Sequence, residues 1–177
     1  QARGLMAITG PGYDSTVVST KMHAHSRRTL AARKEQAVMP ARVILADDHP
    51  IVAAGVRQLL EQDSTTSVVH VASSTEDLMR TLASTPCDLL ITDFSMPGNA
   101  VPDGLSMLGT IRRKWPDLAV VVLTRISNPA VLRSIRDTGV RGLINKSDAL
   151  SELPQAVLSV LNGRTYIAKA AMSLLES

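Results

Sequence analysis

Short apolar runs alternate with amphipathic segments along most of this chain, and this alternation strongly restricts its fold. The runs are rich in Val, Leu and Ile, and apolar residues in the segments between them recur three or four positions apart. Such runs are typical of strands in a parallel sheet, and such segments are typical of the helices that cover it. The predicted strands are 42–46, 67–72, 88–92, 118–123 and 141–145, and the predicted helices begin near residues 50, 75, 105, 129, 150 and 168.

This order of elements also predicts the topology. Strands that alternate with helices pair in parallel through right-handed crossovers. We therefore expect an α/β fold, a flavodoxin-like, doubly wound (βα)5 parallel sheet with strand order 2-1-3-4-5 and an extra C-terminal helix. Three parts are expected: a poorly ordered basic leader over 1–38, the main domain over 39–165, and a C-terminal helix or the start of a linker over 166–177.

Positive charge is concentrated in the leader. The formal net charge of the chain is +3, but residues 1–38 hold six basic and two acidic residues, a net of +4. The remaining residues hold 13 basic and 14 acidic residues, a net of −1. A basic tail binds nucleic acid or anionic membranes weakly, yet Tyr13 is its sole aromatic residue. We interpret the leader as a solvated tail.

Cysteine content and hydropathy limit the compartment. Cys87 is the single cysteine, so no disulfide can form within the chain. No apolar stretch approaches the roughly 20 residues that a membrane-spanning helix needs. We therefore expect a cytoplasmic protein with no membrane partner.

Four of the predicted strands end at residues suited to phosphate chemistry. The carboxyl ends of parallel strands share one edge of the sheet, where ligands bind. The side chains that follow these strands are therefore expected to meet in one pocket. They are Asp47 and Asp48 after the first strand, Asp93 after the third, Thr124 after the fourth and Lys146 after the fifth.

Each of these residues also has an ordinary structural explanation. Asp47 and Asp48 are suited to cap the helix that follows them, and alone this pair favours that explanation. Lys146 is compatible with a lysine that extends to solvent from a strand end, and Thr124 with a β-branched strand residue. The coincidence of these residue types at matching strand ends favours a functional site.

The expected pocket suits phosphoryl transfer assisted by a divalent cation. Three carboxylates repel each other unless a cation lies between them, and ligand sets made of oxygen favour Mg²⁺. Asp93 stands alone at the end of a central strand and is placed to attack phosphorus. Lys146 would pair with a phosphoryl oxygen, and Thr124 would donate a hydrogen bond to the phosphoryl group.

The motifs at these strand ends resemble those of the receiver domain of bacterial two-component response regulators. The resemblance lies in Ala46-Asp-Asp-His-Pro50, Asp93-Phe-Ser-Met-Pro-Gly98, Leu123-Thr124 and Asn145-Lys146. It covers about residues 42–165, and the sequences of the motifs are similar to those of the NarL/LuxR-type branch. The resemblance implies that the domain predicted over 39–165 is a receiver domain, a phosphorylation switch rather than a turnover enzyme.

The resemblance also implies a role for each site residue. Asp93 would accept a phosphoryl group from a histidine of a sensor kinase or a phosphotransfer protein, and the chain would hydrolyse its aspartyl phosphate slowly. Asp93 and Asp48 would bind Mg²⁺ directly, Asp47 would bind it through water, and the main-chain carbonyl of Ser95 would complete the protein ligands. The residues that would sense and hold the phosphoryl group are Thr124 and Lys146.

Regulators of this branch carry a helix-turn-helix domain after the receiver domain. The chain ends at Ser177, so we expect a fragment of a longer transcription factor. The fragment would not bind specific DNA, whereas the full-length protein would. The resemblance also implies a homodimer formed on phosphorylation, and Met172, Leu174 and Leu175 would expose apolar surface if the last helix were unpacked. The alternative is that this helix packs on the domain or is disordered at the end of the chain.

Two positions depart from the family pattern. Many receivers have an aromatic switch residue three positions before the lysine, where this chain has Leu143. Arg125 follows Thr124, where many receivers have a small residue. Arg125 is compatible with restricted access to Asp93 or with a salt bridge outside the pocket, and we expect it to slow phosphotransfer or hydrolysis.

Alternative functions remain open at this point. A Mg²⁺-dependent phosphatase with an aspartyl-phosphate intermediate would have a second acid where Ser95 stands. A flavodoxin-like nucleotide or FMN binder would have a Ser/Thr/Gly-rich loop where this chain has Asp-Asp-His-Pro. A receiver-like interaction module that works without phosphate would not need the complete acid set, although Leu143 and Arg125 favour it. His49 is interpreted as a turn residue, because the other histidines have no metal-ligand spacing with it.

Overall fold

The structure is a computed structural model of the chain, and it describes residues 39–62, 64–98, 100, 102–146 and 150–176. The leader predicted over 1–38 lies outside the described residues. None of the helices in the described part of the chain is long and apolar enough to cross a membrane.

The described strands form one six-stranded sheet in which every neighbouring pair is parallel. The order is β2-β1-β3-β4-β5-β6, which confirms the predicted order of the first five strands. Each of those five begins and ends within one residue of its prediction. The sixth strand was not predicted, because two residues are too few to show a pattern. The strands are β1 Ala41–Ala46, β2 Thr66–Ala72, β3 Leu89–Asp93, β4 Ala119–Thr124, β5 Gly142–Asn145 and β6 Tyr166–Ile167.

Helices connect successive strands and cover both faces of the sheet. The predicted start of the fifth helix near residue 150 is instead a short 3-10 turn, Leu150–Glu152, which runs directly into the α-helix. The predicted last helix is present after β6. The helices are α1 Pro50–Leu60, α2 Thr75–Ser84, α3 Gly104–Lys114, α4 Pro129–Asp137, α5 Leu153–Leu161 and α6 Lys169–Glu176.

Two apolar layers lie on the two sides of the sheet. Side chains alternate along β1, so that Val43 and Leu45 join one layer while Ile44 and Ala46 join the other. The first layer is closed by α1 and α5, and the second by α2, α3, α4 and α6. Burial of each large aliphatic side chain contributes about 1.5–3 kcal/mol to stability. Because the sheet is covered on both faces, only its edges remain for chemistry.

A glycine sets the path of the loop after β3. Gly104 has a φ of +62°, and a Cβ built on it would lie 3.2 Å from the ring of Phe94. Its backbone N–H donates to the carbonyl oxygen of Phe94 at 2.9 Å. Any other residue would be strained there and would press on the ring, so glycine lets this loop return tightly to the end of β3.

The residues after α5 belong to the same sheet and layers. The N–H of Tyr166 donates to the Arg141 carbonyl at 2.8 Å, and the N–H of Ala168 donates to the Leu143 carbonyl at 2.9 Å. Helix α6 packs on α4 and β5. The described part of the segment predicted over 166–177 is therefore a strand and a helix docked on the sheet.

Candidate functional site

Charged and polar side chains converge at the carboxyl edge of the sheet. Asp47 directly follows β1, Asp93 is the last residue of β3 and Thr124 is the last residue of β4. Lys146 directly follows β5, where its N–H donates to the Thr124 carbonyl at 2.7 Å. The parallel pairing of these strands brings residues distant in sequence to one site, as expected.

Lys146 joins two carboxylates at the centre of the site. Its Nζ lies 2.6 Å from Asp47 Oδ2 and 2.6 Å from Asp93 Oδ2. The side chains are almost fully enclosed, with 3% of Lys146, none of Asp47 and 9% of Asp93 exposed. The ammonium therefore compensates two buried negative charges that would otherwise repel each other. This contact excludes the alternative in which Lys146 extends to solvent.

Asp48 and His49 lie beside this pair. The side chain of His49 does not cap α1, although His49 occupies the N-cap position, and its N–H donates to Asp47 Oδ1 at 2.9 Å. The capping role considered for Asp48 is therefore wrong. Its Oδ1 is buried and accepts no hydrogen bond from any described residue. His49 Nδ1 lies 3.0 Å from this oxygen without hydrogen-bond geometry. Asp48 thus directs an unused acceptor into the site.

The donor set fits a small divalent cation. One possible ligand atom from each of Asp47, Asp48, His49 and Asp93 lies within 4.8 Å of the others. Carboxylate oxygens are ligands that Mg²⁺ accepts, and the buried Asp48 Oδ1 gains a partner if a cation binds. The N–H of Ser95 donates to Asp93 Oδ1 at 3.3 Å, so this residue lies at the site. The ligand role of the Ser95 carbonyl stays a prediction.

A cleft opens beside Asp93. It has a volume of about 140 Å³, and its lining includes Asp93, Thr124 and Arg125. The side chain of Thr124 is buried, and its Oγ1 accepts a hydrogen bond from the N–H of Ile126 at 3.0 Å. That acceptor role leaves the Thr124 hydroxyl proton available to a group in the cleft. A carboxylate and a hydroxyl therefore face the same small space.

The two departures from the family pattern have different surroundings. Leu143 is 1% exposed and belongs to the apolar layer that also contains Ala171 and Leu175 of α6. Arg125 is exposed at the cleft. Leu143 therefore acts as a core residue, whereas Arg125 lines the cleft that also contains Asp93.

Comparison with known proteins decides the family. The family model described as the response regulator receiver domain matches residues 43–158. The chain belongs to the response regulator receiver family. The resemblance deduced from the strand-end motifs is thereby confirmed.

Several regulators are similar to this receiver domain over most of its length. Transcriptional regulatory protein RcsB of Escherichia coli is 37% identical over 134 residues, which are 76% of this chain and 62% of RcsB. Response regulator UvrY of Escherichia coli is 33% identical over 126 residues, which are 71% of this chain and 56% of UvrY. The chain thus spans about three fifths of the length of these curated relatives.

The same family is found among solved structures. The isolated REC domain of RcsB from Salmonella enterica serovar Typhimurium, in the presence of phosphomimetic BeF3⁻, superposes with a TM-score of 0.74 at 36% identity. The match covers 77% of this chain and 99% of that domain. An RcsB–DNA complex superposes with a TM-score of 0.75, covering 77% of this chain and 68% of the other.

Sequence reasoning missed two contacts, one at the site and one at the edge of the sheet. One is the approach of His49 to the acidic pair, for which the adjacency of His49 to Asp48 was the available signal. The other joins Tyr166 to Glu152, with the tyrosine hydroxyl donating to Glu152 Oε2 at 2.6 Å. This hydrogen bond, together with partial burial, raises the pKa of Tyr166 to about 12. No pattern in the sequence indicates that contact.

Proposed function

We propose that this receiver domain accepts a phosphoryl group on Asp93 and works as a phosphorylation switch. The observation that carries the proposal is the nearly buried Asp93 carboxylate, held by Lys146 at 2.6 Å and open to the cleft that Thr124 also lines. Phosphoryl transfer requires mainly positioning and charge compensation, and this arrangement supplies both.

The proposed reaction is an in-line displacement. One Oδ atom of Asp93 forms a bond to phosphorus while the bond from phosphorus to the donor breaks, and the electron pair of that bond leaves with the donor. Lys146 transfers one of its hydrogen bonds from a carboxylate to a phosphoryl oxygen. The Thr124 hydroxyl donates a hydrogen bond to another phosphoryl oxygen. Both contacts stabilise the negative charge that the group brings into the site.

Mg²⁺ belongs to this proposal. Asp48 and Asp93 would bind it directly, Asp47 would bind it through water, and the Ser95 carbonyl would complete the protein ligands. When bound, the cation neutralises negative charge on the acids and on the phosphoryl group. The unused Asp48 Oδ1 supports this assignment, because a buried carboxylate oxygen without a partner is costly.

The partners and the output are also proposals. The phosphoryl donor would be a histidine of a sensor kinase or of a phosphotransfer protein, in the cytoplasm. RcsB and UvrY are both longer than their match to this chain, and RcsB has been solved in complex with DNA. We infer that the full-length protein binds DNA through a further domain and regulates transcription, that this fragment does not bind specific DNA, and that phosphorylation favours a homodimer.

A small phosphodonor tests the central step. Incubation with acetyl phosphate and Mg²⁺ should add one phosphoryl group per chain, and the product should be stable in acid and labile in base. The Asp93→Asn variant should gain no mass, while the control Asp137→Asn, which alters an exposed carboxylate on α4, should react like the wild type. An equal gain of phosphoryl groups by Asp93→Asn and the wild type would contradict the proposal.

The same experiment separates the alternatives. A phosphatase would release phosphate over many turnovers, whereas a switch stops after one phosphoryl group and loses it slowly. A module that works without phosphate would gain no mass at all. The Ser95 side chain at the position of the phosphatase's second acid supports the switch.

Arg125 offers a separate prediction about rate. The Arg125→Ala variant should be phosphorylated and dephosphorylated faster than the wild type, because the long side chain no longer restricts the cleft beside Asp93. Arg164→Ala, which removes another exposed arginine, is the matched control. Unchanged rates in Arg125→Ala would refute a role for Arg125.

A further inference from the structure

The ring of His49 lies close to two carboxylates of the site. Its Nδ1 is 3.0 Å from Asp48 Oδ1 and 3.3 Å from Asp47 Oδ1. The ring also lines the cleft that contains Asp93. The side chain makes no hydrogen bond that caps α1, so the helix end does not explain its position. His49 therefore adds a ring nitrogen to a group of carboxylate oxygens.

The turn after β1 holds His49 in this place. Its backbone N–H donates to Asp47 Oδ1 at 2.9 Å. Pro50, whose ring fixes φ, begins α1 directly after it. A side chain on such a short, restrained turn has little freedom to lose when it binds an ion. The ring is thus preorganised beside the acids.

The arrangement around Lys146 leaves oxygens of the same acids for a cation. Its Nζ contacts the Oδ2 atoms of Asp47 and Asp93, at 2.6 Å each. Asp48 Oδ1 is buried and accepts no hydrogen bond from a described residue. One ligand atom from each acid and from His49 lies within 4.8 Å of the others. Small side-chain rotations bring four such atoms onto one ion, whose bonds to nitrogen and oxygen are about 2.0–2.2 Å.

We propose that His49 adds a nitrogen ligand to the three acids of the site, and that the four side chains together bind a transition-metal ion such as Zn²⁺. The inference rests on the cation site proposed above for these acids. With its proton on Nε2, the imidazole presents a lone pair at Nδ1. Neutral imidazole suits Zn²⁺, whereas Mg²⁺ favours ligand sets made of oxygen. His49 is then the residue that distinguishes the two ions.

Occupation by such an ion would oppose phosphorylation. Structural Zn²⁺ sites are four-coordinate and closed, so four protein ligands leave no position for a phosphoryl oxygen. Mg²⁺ sites usually keep several waters that substrate oxygens replace. In the closed arrangement Asp93 serves as a ligand, and its carboxylate is not available to attack phosphorus. The acids therefore form either a closed site with His49 or an open site without it.

Metal titrations measure both affinities without phosphoryl transfer. Zn²⁺ and Mg²⁺ are each titrated by calorimetry into the 177-residue chain, in a His23→Asn/His25→Asn background because any histidine is able to bind Zn²⁺. His49→Ala should lower the Zn²⁺ affinity by about tenfold or more, since the loss of even an indirect partner of a metal has an effect of this size. The Mg²⁺ affinity should stay within about twofold of that of the background chain.

His70 provides the matched control. It is also partly exposed, with 39% of its side chain accessible against 48% for His49, and its Nε2 lies 3.2 Å from Asp77 Oδ2. His70→Ala should leave both affinities unchanged. Urea unfolding checks that each variant is folded, and His49→Asn, which also lacks the ring, should show the same loss of selectivity. An equal loss of Zn²⁺ affinity in His70→Ala, or an equal loss of Zn²⁺ and Mg²⁺ affinity in His49→Ala, overturns the inference.

Co²⁺ in place of Zn²⁺ reports the ligand itself. A proton NMR signal from the ring N–H, shifted by the paramagnetic ion and lost in D2O, should be present in the background chain and in His70→Ala. It should be absent in His49→Ala. A spectrum without this signal in the background chain would show that the nitrogen does not ligate, and the inference would be wrong.

Competition with the phosphodonor tests the closed arrangement. In the presence of Mg²⁺, Zn²⁺ should suppress the gain of a phosphoryl group from acetyl phosphate in the background chain and suppress it less in His49→Ala. Equal suppression in the two would contradict the role of His49. A chain that binds Zn²⁺ through His49 but gains no phosphoryl group with Mg²⁺ alone would instead refute the proposed function and support the metal site.

Discussion

Replacement of Lys146 by methionine tests how strongly the site depends on its central ion pair. Methionine keeps the length of the side chain but removes the ammonium that lies 2.6 Å from both Asp47 Oδ2 and Asp93 Oδ2. Asp47 retains the N–H of His49 at 2.9 Å, and Asp93 retains the N–H of Ser95 at 3.3 Å. Two carboxylates would then face each other with these backbone donors and the ring of His49, whose Nδ1 lies 3.3 Å from Asp47 Oδ1.

The size of the effect follows from burial. Removing one partner of a buried ion pair costs about 3–5 kcal/mol, because the remaining charge has no compensation. We expect the lower end of this range, about 3 kcal/mol, because Asp47 and Asp93 each keep one backbone hydrogen bond. With a urea slope of about 2 kcal/mol per molar, the unfolding midpoint should fall by about 1.5 M.

The assay is urea unfolding followed by circular dichroism at neutral pH, in the presence of EDTA. Lys114→Met is the control, because it removes a lysine at the exposed end of α3 whose contact is the ring of Trp115 at 5.9 Å. Its midpoint should change little. Added Mg²⁺ should raise the midpoint of Lys146→Met more than that of the wild type, since a cation bound as proposed would compensate the same carboxylates. A Lys146→Met midpoint equal to that of Lys114→Met would refute this reasoning.

Two other predictions concern stability and are measured by unfolding. Gly142→Ala should destabilise the fold by about 1–3 kcal/mol, because a Cβ at this position would lie 2.7 Å from a methyl of buried Val121. Gly55→Ala on α1 is the control: its Cβ meets no atom within 4 Å, and thermal unfolding should show a gain of about 0.5–1 kcal/mol. The side-chain hydrogen bond from Arg42 lowers the pKa of Asp88 below its ordinary value of 3.8. Above that pH the wild type should therefore be more stable than Asp88→Asn, by less than about 1 kcal/mol because the pair is exposed. The difference in stability should disappear as the pH falls below 3.8. A difference that persists at pH 2 would contradict this assignment.

Much of the architecture could be predicted from local patterns of apolar residues in the sequence. Apolar runs of five or six residues are typical of strands buried on both faces, and their alternation with helical segments predicted the parallel pairing of β1 to β5. Local chemistry also predicted the start of α2, where Ser74 accepts a hydrogen bond from the N–H of Asp77 at 3.2 Å. It failed for Asp48, because the helix begins at Pro50 and the N-cap position is therefore occupied by His49, one residue later in the chain.

The residue types at the site could be named from the chain, but their partners could not. Strand-end positions predicted that Asp47, Asp93 and Lys146 would meet, since parallel strands share an edge. That Lys146 bridges two enclosed carboxylates depends on how far three strands extend and how they are staggered, which is a property of the packed sheet. The hydrogen bond from Tyr166 to Glu152 likewise arises because β6 returns to the edge of the sheet beside β5. Contacts between residues far apart along the chain are set by packing, so short-range sequence patterns do not predict them.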